Sequence, residues 1–141
     1  MPQEVPQYAQ AGTPDPWAYS RQIQQDAAAL GFDWPSVHGV LDKIEEELGE
    51  IRAAIADADR DHAHRELGDL LLATVNLARF LDADPSRALD EATRRFENRF
   101  GALRRDVAAS GRTLETCTLG ELETVWQRVK HQADQQLKKG S

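Results

Sequence analysis

The sequence predicts an all-α fold, a bundle of four to five helices, on three observations. Apolar residues recur at spacings of three and four through most of residues 15–133. No stretch of any length alternates apolar and polar residues as a half-buried strand does. Helix-start and helix-stop residues punctuate the chain at Asp15-Pro16, Gly31, Asp84-Pro85, Gly111 and Thr118.

Residues 1–14 carry Pro2, Pro6, Pro14 and several glutamines without periodicity, and read as a disordered tail. Asp15 caps a first helix with Pro16 at its first position. That helix is expected to run to about Leu30, with Trp17, Ile23, Ala27 and Leu30 as its apolar marks and Gly31 as its stop. The loop Gly31-Phe32-Asp33-Trp34-Pro35 has two readings. Either Phe32 and Trp34 pin it to the core, as buried rings usually do, or Trp34 lies beside a bound base.

The second helix is expected from Ser36 to Ala56, with Val37, Val40, Leu41, Ile44, Leu48, Ile51 and Ile55 as one amphipathic stripe. With Ile44 at zero on a wheel of ~100° per residue, the stripe spans about −40° to +60°. Glu47 then falls near −60°, Lys43 near −100°, Glu50 near −120° and Glu46 near 200°. Glu47 therefore borders the buried face, Glu50 follows it, and Glu46 is left to contact water or to support the inner acids. On this helix alone an acidic solvent face is the plainer reading.

A polar turn at 57–61 leads to a third helix, from about His62 to Leu81, that is apolar nearly all round and so reads as buried. Yet Glu66, Asp69 and Asn76 share an ~80° sector of it. Isolated charges on a buried helix are costly, which turns the reading from solvated acids to a metal site. Glu47/Glu50 and Glu66/Asp69 each place two carboxylates on one side of a helix, and four converging carboxylates call for a hard divalent cation. His62 and His64 suggest zinc only weakly, since they sit on different sides of the helix and no cysteine supports them.

Asp84 and Pro85 restart a fourth helix to about Ala109, with Leu89, Ala92, Phe96, Phe100, Leu103 and Val107 as its core stripe. Arg95 and Arg99 flank that stripe and suit phosphate oxygens, or else snorkel over the core edge. Thr118-Leu119-Gly120-Glu121 is a capping-box pattern opening a last helix with Leu122, Val125, Trp126 and Val129 inward. Residues 134–141 are polar and read as a tail, leaving 15–133 as the domain.

Length and composition exclude several classes. The 141 residues suit one domain. A single cysteine, Cys117, rules out an internal disulfide framework and fits a reducing compartment. No apolar run approaches the ~20 residues of a membrane span, and the N-terminus lacks a signal pattern, so the chain reads as cytoplasmic. The net charge of −7 argues against nucleic acid as a partner. It is unevenly spread: residues 42–50 hold five acids and one lysine, residues 87–105 six arginines and three acids, a layout that suits a metal-bound polyphosphate. The chain has no glycine-rich phosphate loop and no set of residues that would build a nucleophile.

The pairing of Glu46-Glu47-Leu48-Gly49-Glu50 with Glu66-Leu67-Gly68-Asp69 resembles the MazG nucleoside triphosphate pyrophosphohydrolases, an all-α group, and among them the C-terminal catalytic domain type. The likeness spans about Trp17 to His131. It includes Gly31–Pro35, Asp42-Lys43, the run Gly68 to Arg79, Arg95-Phe96-Glu97 with Arg99-Phe100, and Val125–Lys130. It implies a hydrolase that cuts NTP or dNTP to the monophosphate and pyrophosphate, dependent on Mg²⁺ with Mn²⁺ as a substitute. It implies metal ligands at Glu47, Glu50, Glu66 and Asp69, and substrate contacts at Lys43, Asn76, Arg95 and Arg99, with Trp34 near the base. Glu46 or Glu50 would orient the attacking water. It also implies a homodimer or larger homo-oligomer whose pairing completes the pocket. Two departures stand out: Thr93 and Arg95 where members commonly have Asn and Lys, and His64-Arg65 where they often have acids. Rival expectations are a specialised pyrophosphohydrolase acting on phosphoribosyl-ATP, dUTP or dCTP, and a helical interaction module without turnover.

Overall fold

The computed structural model describes residues 15–140, so the tail read at 1–14 lies outside the described residues. The fold is all-α, as predicted. Among the described residues five helices follow in order: α1 (Pro16–Ala29), α2 (Val37–Ala56), α3 (Arg60–Phe80), α4 (Pro85–Ala109) and α5 (Leu119–Lys139). A short 3₁₀ turn at Leu114–Thr116 precedes α5, and no strand occurs among the described residues. None of these helices is long and apolar enough to cross a membrane. The chain divides into two compact units at Ala88/Leu89, within α4.

The helix boundaries follow from capping chemistry. Asp15 Oδ1 accepts from the amides of Trp17 and Ala18, at 3.0 and 3.2 Å, and so satisfies two orphan donors of α1. Gly31 takes a φ of 94°, the left-handed turn that ends α1 where the sequence placed the stop. Asp59 accepts from His62 N at 3.0 Å and starts α3 at Arg60, two residues earlier than read. Asp84 Oδ1 accepts from Ser86 N at 2.9 Å to open α4, and Thr118 Oγ1 accepts from Glu121 N at 3.2 Å to open α5. α5 continues to Lys139, through residues set apart above as a tail, and ends on Lys138 and Lys139, charges that suit a helix C-terminus.

In the first unit α2 and α3 are joined by the short turn Asp57–Asp59 and pack against each other, while α1 packs on α3. Gln24 Nε2 on α1 donates to Leu72 O on α3 at 3.2 Å. The buried seam of α2 is not the one the wheel suggested. Val40, Glu47 and Ala54 are its buried residues, seven apart, at about −40°, −60° and −80°. The neighbouring row Leu41, Leu48 and Ile55 is exposed. The helix is thus rolled so that a carboxylate, not a leucine, lies in the middle of the seam. On α3 the matching face runs through His62, Glu66, Asp69, Ala73 and Asn76 at alternating steps of four and three. Ala54 and Ala73 are buried and small, which lets two backbones come close around the polar residues.

Two other expectations are corrected in this unit. Leu30 and Phe32 are 89% and 84% exposed, so neither anchors the core. Trp34 is half-exposed and is seated on Gly39, where an added Cβ would lie 2.7 Å from its Cε3.

The second unit pairs the remainder of α4 with α5. Leu103, Val107 and Val129 form its buried core. The Phe96 ring lies 5.4 Å from Trp126 and 6.2 Å from Phe100, centroid to centroid. Leu89, Phe96 and Phe100, read as core stripe, are exposed.

Candidate metal centre and nucleotide pocket

The seam between α2 and α3 gathers the acids. One oxygen each from Glu47, Glu66 and Asp69 lie within 4.8 Å of one another. A second set, Glu50, His62 and Glu66, meets the same limit, with Glu66 common to both. Three of the expected ligands, Glu47, Glu66 and Asp69, thus meet in one set, and Glu50 meets Glu66 in the other. His62, set aside above because no cysteine accompanies it, joins them: its Nε2 is 3.1 Å from Glu66 Oε1. The i, i+4 spacing of His62 and Glu66 was the available signal.

Glu47 is the unusual member. Its residue is 5% exposed, and its Oε2 is buried with no hydrogen-bond partner among the described residues. Its Oε1 is held by Lys43 Nζ at 3.0 Å, and Lys43 also reaches Glu46 Oε1 at 3.3 Å. Glu46 is exposed and lies in neither set of converging acids. A buried carboxylate oxygen, on a side chain gathered with two further carboxylates, has three ways to be satisfied: a proton, a cation or a donor. No donor is there. The donor set, hard oxygens with one imidazole at the edge, fits Mg²⁺ or Mn²⁺.

Without a cation Glu47 and Glu66 are shifted in opposite directions. A hydrogen bond from Glu66 holds Glu47 below the usual carboxylate range, aided by Lys43. The same contact with the Glu47 carboxylate, then burial, raises Glu66. Lys43 is raised in turn by its hydrogen bonds to Glu47 and Glu46. The signs give a prediction. A group with a raised folded pKa adds stability below its unfolded value, here 4.5, and loses it as pH rises through the folded value. Cation-free protein is therefore expected to lose melting temperature as pH climbs above 4.5 through the Glu66 titration, and added Mg²⁺ to remove that loss. Melts across pH with and without Mg²⁺ check this; identical pH profiles would rule out cation binding at the pair.

A cavity of about 690 Å³ opens beside the acids. Lys43, Glu47 and Asp69 line its charged part, and Ile23, Ala27, Phe32, Trp34 and Leu72 its apolar part, with Asn76 and Arg79 between the helices and the loop. The volume lies in the range of small-molecule sites. A charged part beside an apolar, ring-bearing part matches a ligand with a polyanionic tail and a flat head. Of the expected substrate contacts, Lys43, Asn76 and Trp34 line this cavity. Arg95 and Arg99 belong to the second unit, where Arg99 Nη2 pairs with Asp134 Oδ1 at 3.5 Å, and they are not among the lining residues. Asp33 and Arg79 escaped the sequence reading. They meet across 46 positions of chain, and no local pattern marks such a pair.

Residues 36–101, which carry both acidic clusters, match the MazG nucleotide pyrophosphohydrolase domain. The chain is 41% identical over 111 residues to the nucleoside triphosphate pyrophosphohydrolase/pyrophosphatase MazG of Thermotoga maritima, covering 79% of this chain and 42% of that protein. It is 43% identical over 115 residues to the nucleoside triphosphate pyrophosphohydrolase of Escherichia coli K12, covering 80% of this chain and 44% of that one. The chain thus spans less than half the length of these curated relatives. A shorter likeness, 32% over 76 residues, connects it to the Bacillus subtilis protein YabN. With both acid clusters inside the matched domain and met on one helical seam, the chain belongs to the MazG nucleotide pyrophosphohydrolase family.

Proposed function

We propose that this protein hydrolyses nucleoside triphosphates to the monophosphate and pyrophosphate, with Mg²⁺ as the cation and Mn²⁺ as a substitute, in the upkeep of the cytoplasmic nucleotide pool. The observation that carries the reading is the buried Glu47, one oxygen of it unpartnered, gathered with Glu66 and Asp69 at the charged side of the cavity. Glu47, Glu66 and Asp69 would hold the cation, with Glu50 adding a ligand from the solvent side. When bound, Mg²⁺ supplies neutralisation and orientation of the triphosphate and makes a water more acidic.

The chain's own side chains do the rest. Lys43, which lines the charged part of the cavity, would steady charge on the leaving pyrophosphate. Glu50, exposed beside Glu66 and His62, is better placed than Glu46 to orient the attacking water, since Glu46 is turned to Lys43. Trp34 and the apolar wall receive the base. No covalent intermediate on the protein is required.

Arg95 and Arg99 are proposed contacts for the triphosphate. Arg99→Ala is expected to raise KM severalfold with kcat little changed, and an unchanged KM places Arg99 outside the pocket. A second copy of the chain would cover the exposed row Leu41, Leu48 and Ile55, since such a row is costly to leave in water. Sedimentation equilibrium is expected to report a dimer or larger, and a monomer at assay concentration sinks that part.

The deciding experiment is pyrophosphate release from a panel of NTPs, dNTPs and phosphoribosyl-ATP with Mg²⁺. Turnover of several nucleotides supports the reading. Turnover of dUTP, dCTP or phosphoribosyl-ATP alone would assign a specialised pyrophosphohydrolase, and no turnover of any would leave a binding module.

A further inference from the structure

Arg79, on the cavity wall, has three partners, two of which, Asp33 and Asn76, also line the cavity. Its Nη2 donates to Asp33 Oδ1. Its Nε donates to Asn76 Oδ1 at 3.1 Å. Its guanidinium carbon lies 4.8 Å from the Phe80 ring centroid. The side chain is 15% exposed, so these contacts operate largely out of water, where a charge-assisted bond counts for more than on the surface.

Each contact fixes something other than Arg79. Arginine Nε can only donate, so the Asn76 atom facing it must be the carbonyl oxygen. Asn76 is 9% exposed, and the group it then offers to the cavity it lines is the amide NH₂, a donor. Asp33 Oδ1 also accepts from Trp34 N at 2.8 Å. One carboxylate oxygen therefore links the loop's backbone to α3. The indole of Trp34 rests against Gly39 of helix α2. The position along α3 matters as well. Asn76 lies seven residues beyond Asp69, about 10 Å up the helix axis. A nucleotide whose phosphates were held at the acids would bring its nucleoside half toward this level of the cavity.

We infer that Arg79 is a positioning residue for nucleoside recognition: it sets Asn76 as a hydrogen-bond donor to the cavity and fastens the Trp34 loop to α3. The inference rests on the nucleotide reading above and deepens it. The nucleoside half of the ligand must present an acceptor, a sugar oxygen or a base oxygen or ring nitrogen, to Asn76 while its ring lies along Trp34. The triphosphate half is indifferent to Arg79.

The test uses the full chain and the variant Arg79→Lys, which keeps the charge but loses the fork that reaches Asp33 and Asn76 together. KM for the best nucleotide of the panel is expected to rise about tenfold, the worth of one lost charge-assisted hydrogen bond, with kcat within about twofold. Inorganic tripolyphosphate, which lacks a nucleoside, is expected to inhibit wild type and variant with the same constant. Asp33→Asn, which does not touch Asn76, is expected to raise KM less and to increase acrylamide quenching of Trp34 in a Trp17→Phe/Trp126→Phe background. An unchanged KM in Arg79→Lys, or a tripolyphosphate constant that weakens in step with KM, overturns the inference. A kcat that falls together with melting temperature while KM holds also overturns it, because Arg79 then only supports the fold. Wild-type turnover is measured first: its absence defeats the nucleotide reading itself, whereas turnover untouched by Arg79→Lys defeats only this inference.

Discussion

Glu47→Gln is expected to abolish the response to divalent cations and to cut pyrophosphate release by at least about 10²–10³-fold, while leaving the cation-free protein as stable as wild type or more so. Two effects point in opposite directions. Glutamine at this buried position keeps an oxygen for Lys43 and turns a neutral NH₂ toward Glu66, so a donor replaces the acceptor that now faces it. Lys43 also retains Glu46 at 3.3 Å. The cation-free fold therefore loses a repulsion and keeps its hydrogen bonds. The same change removes the anionic oxygen around which a cation would be held. Wild type is expected to gain about 2.7 kcal/mol of stability when Mg²⁺ reaches 100 times its Kd, and the variant none. The largest cause of the raised Glu66 pKa goes with the Glu47 charge, while burial and Asp69 remain, so the pH-dependent loss of melting temperature is expected to shrink. Melting curves with and without Mg²⁺, together with pyrophosphate release, read all of this. A variant that is unstable without cation, or that still melts higher with Mg²⁺, would show that Glu47 is a structural acid and not a ligand.

Such a trade of stability for binding explains which parts of this chain were legible in its sequence. Caps and stops were legible because they are local: Asp15, Gly31, Asp84 and Thr118 act on amides within a few residues. The acid pairs were legible because a spacing of three fixes them on one side of a helix. The roll of α2 was not. Apolar periodicity places the row Leu41, Leu48 and Ile55 at the edge of the buried stripe, and the helix instead turns Glu47 into the seam with Val40 and Ala54. Hydrophobicity alone cannot foresee a carboxylate at the centre of a seam, since burying it is unfavourable until something neutralises it. Phe32 was misread for a related reason. A ring in a loop is usually an anchor, but here it lines a cavity. The contacts of Arg79 with Asp33 required the fold, because they join a loop to a helix far along the chain.

Ala54→Leu is expected to lower the melting temperature by roughly 5–10 °C and to abolish cation response and turnover with it. Ala54 is 0% exposed and continues the row of Val40 and Glu47, one heptad beyond the acid. Three added carbons have no void to enter, and overpacking of this kind costs about 1–3 kcal/mol as backbones shift. The shift must come at the contact of α2 with α3, the helices that carry the two halves of the acid set. A displacement of about 1 Å spoils a set whose oxygens lie within 4.8 Å of one another, because Mg²⁺ tolerates little departure from its preferred geometry. Ala54→Gly is the control. It removes a methyl, costs about 1 kcal/mol of helix propensity, and leaves the spacing of the helices to Ala73 and the acids. It is expected to lower the melting temperature while Mg²⁺ still raises it. If Ala54→Leu kept its response to Mg²⁺ despite a lower melting temperature, the acids would not depend on the close approach of α2 and α3, and the seam would be packing alone. The pairing with Glu47→Gln is what gives the test its force: one variant removes the charge and spares the packing, the other disturbs the packing and spares every charge. Both must silence the cation response for the seam to be the site.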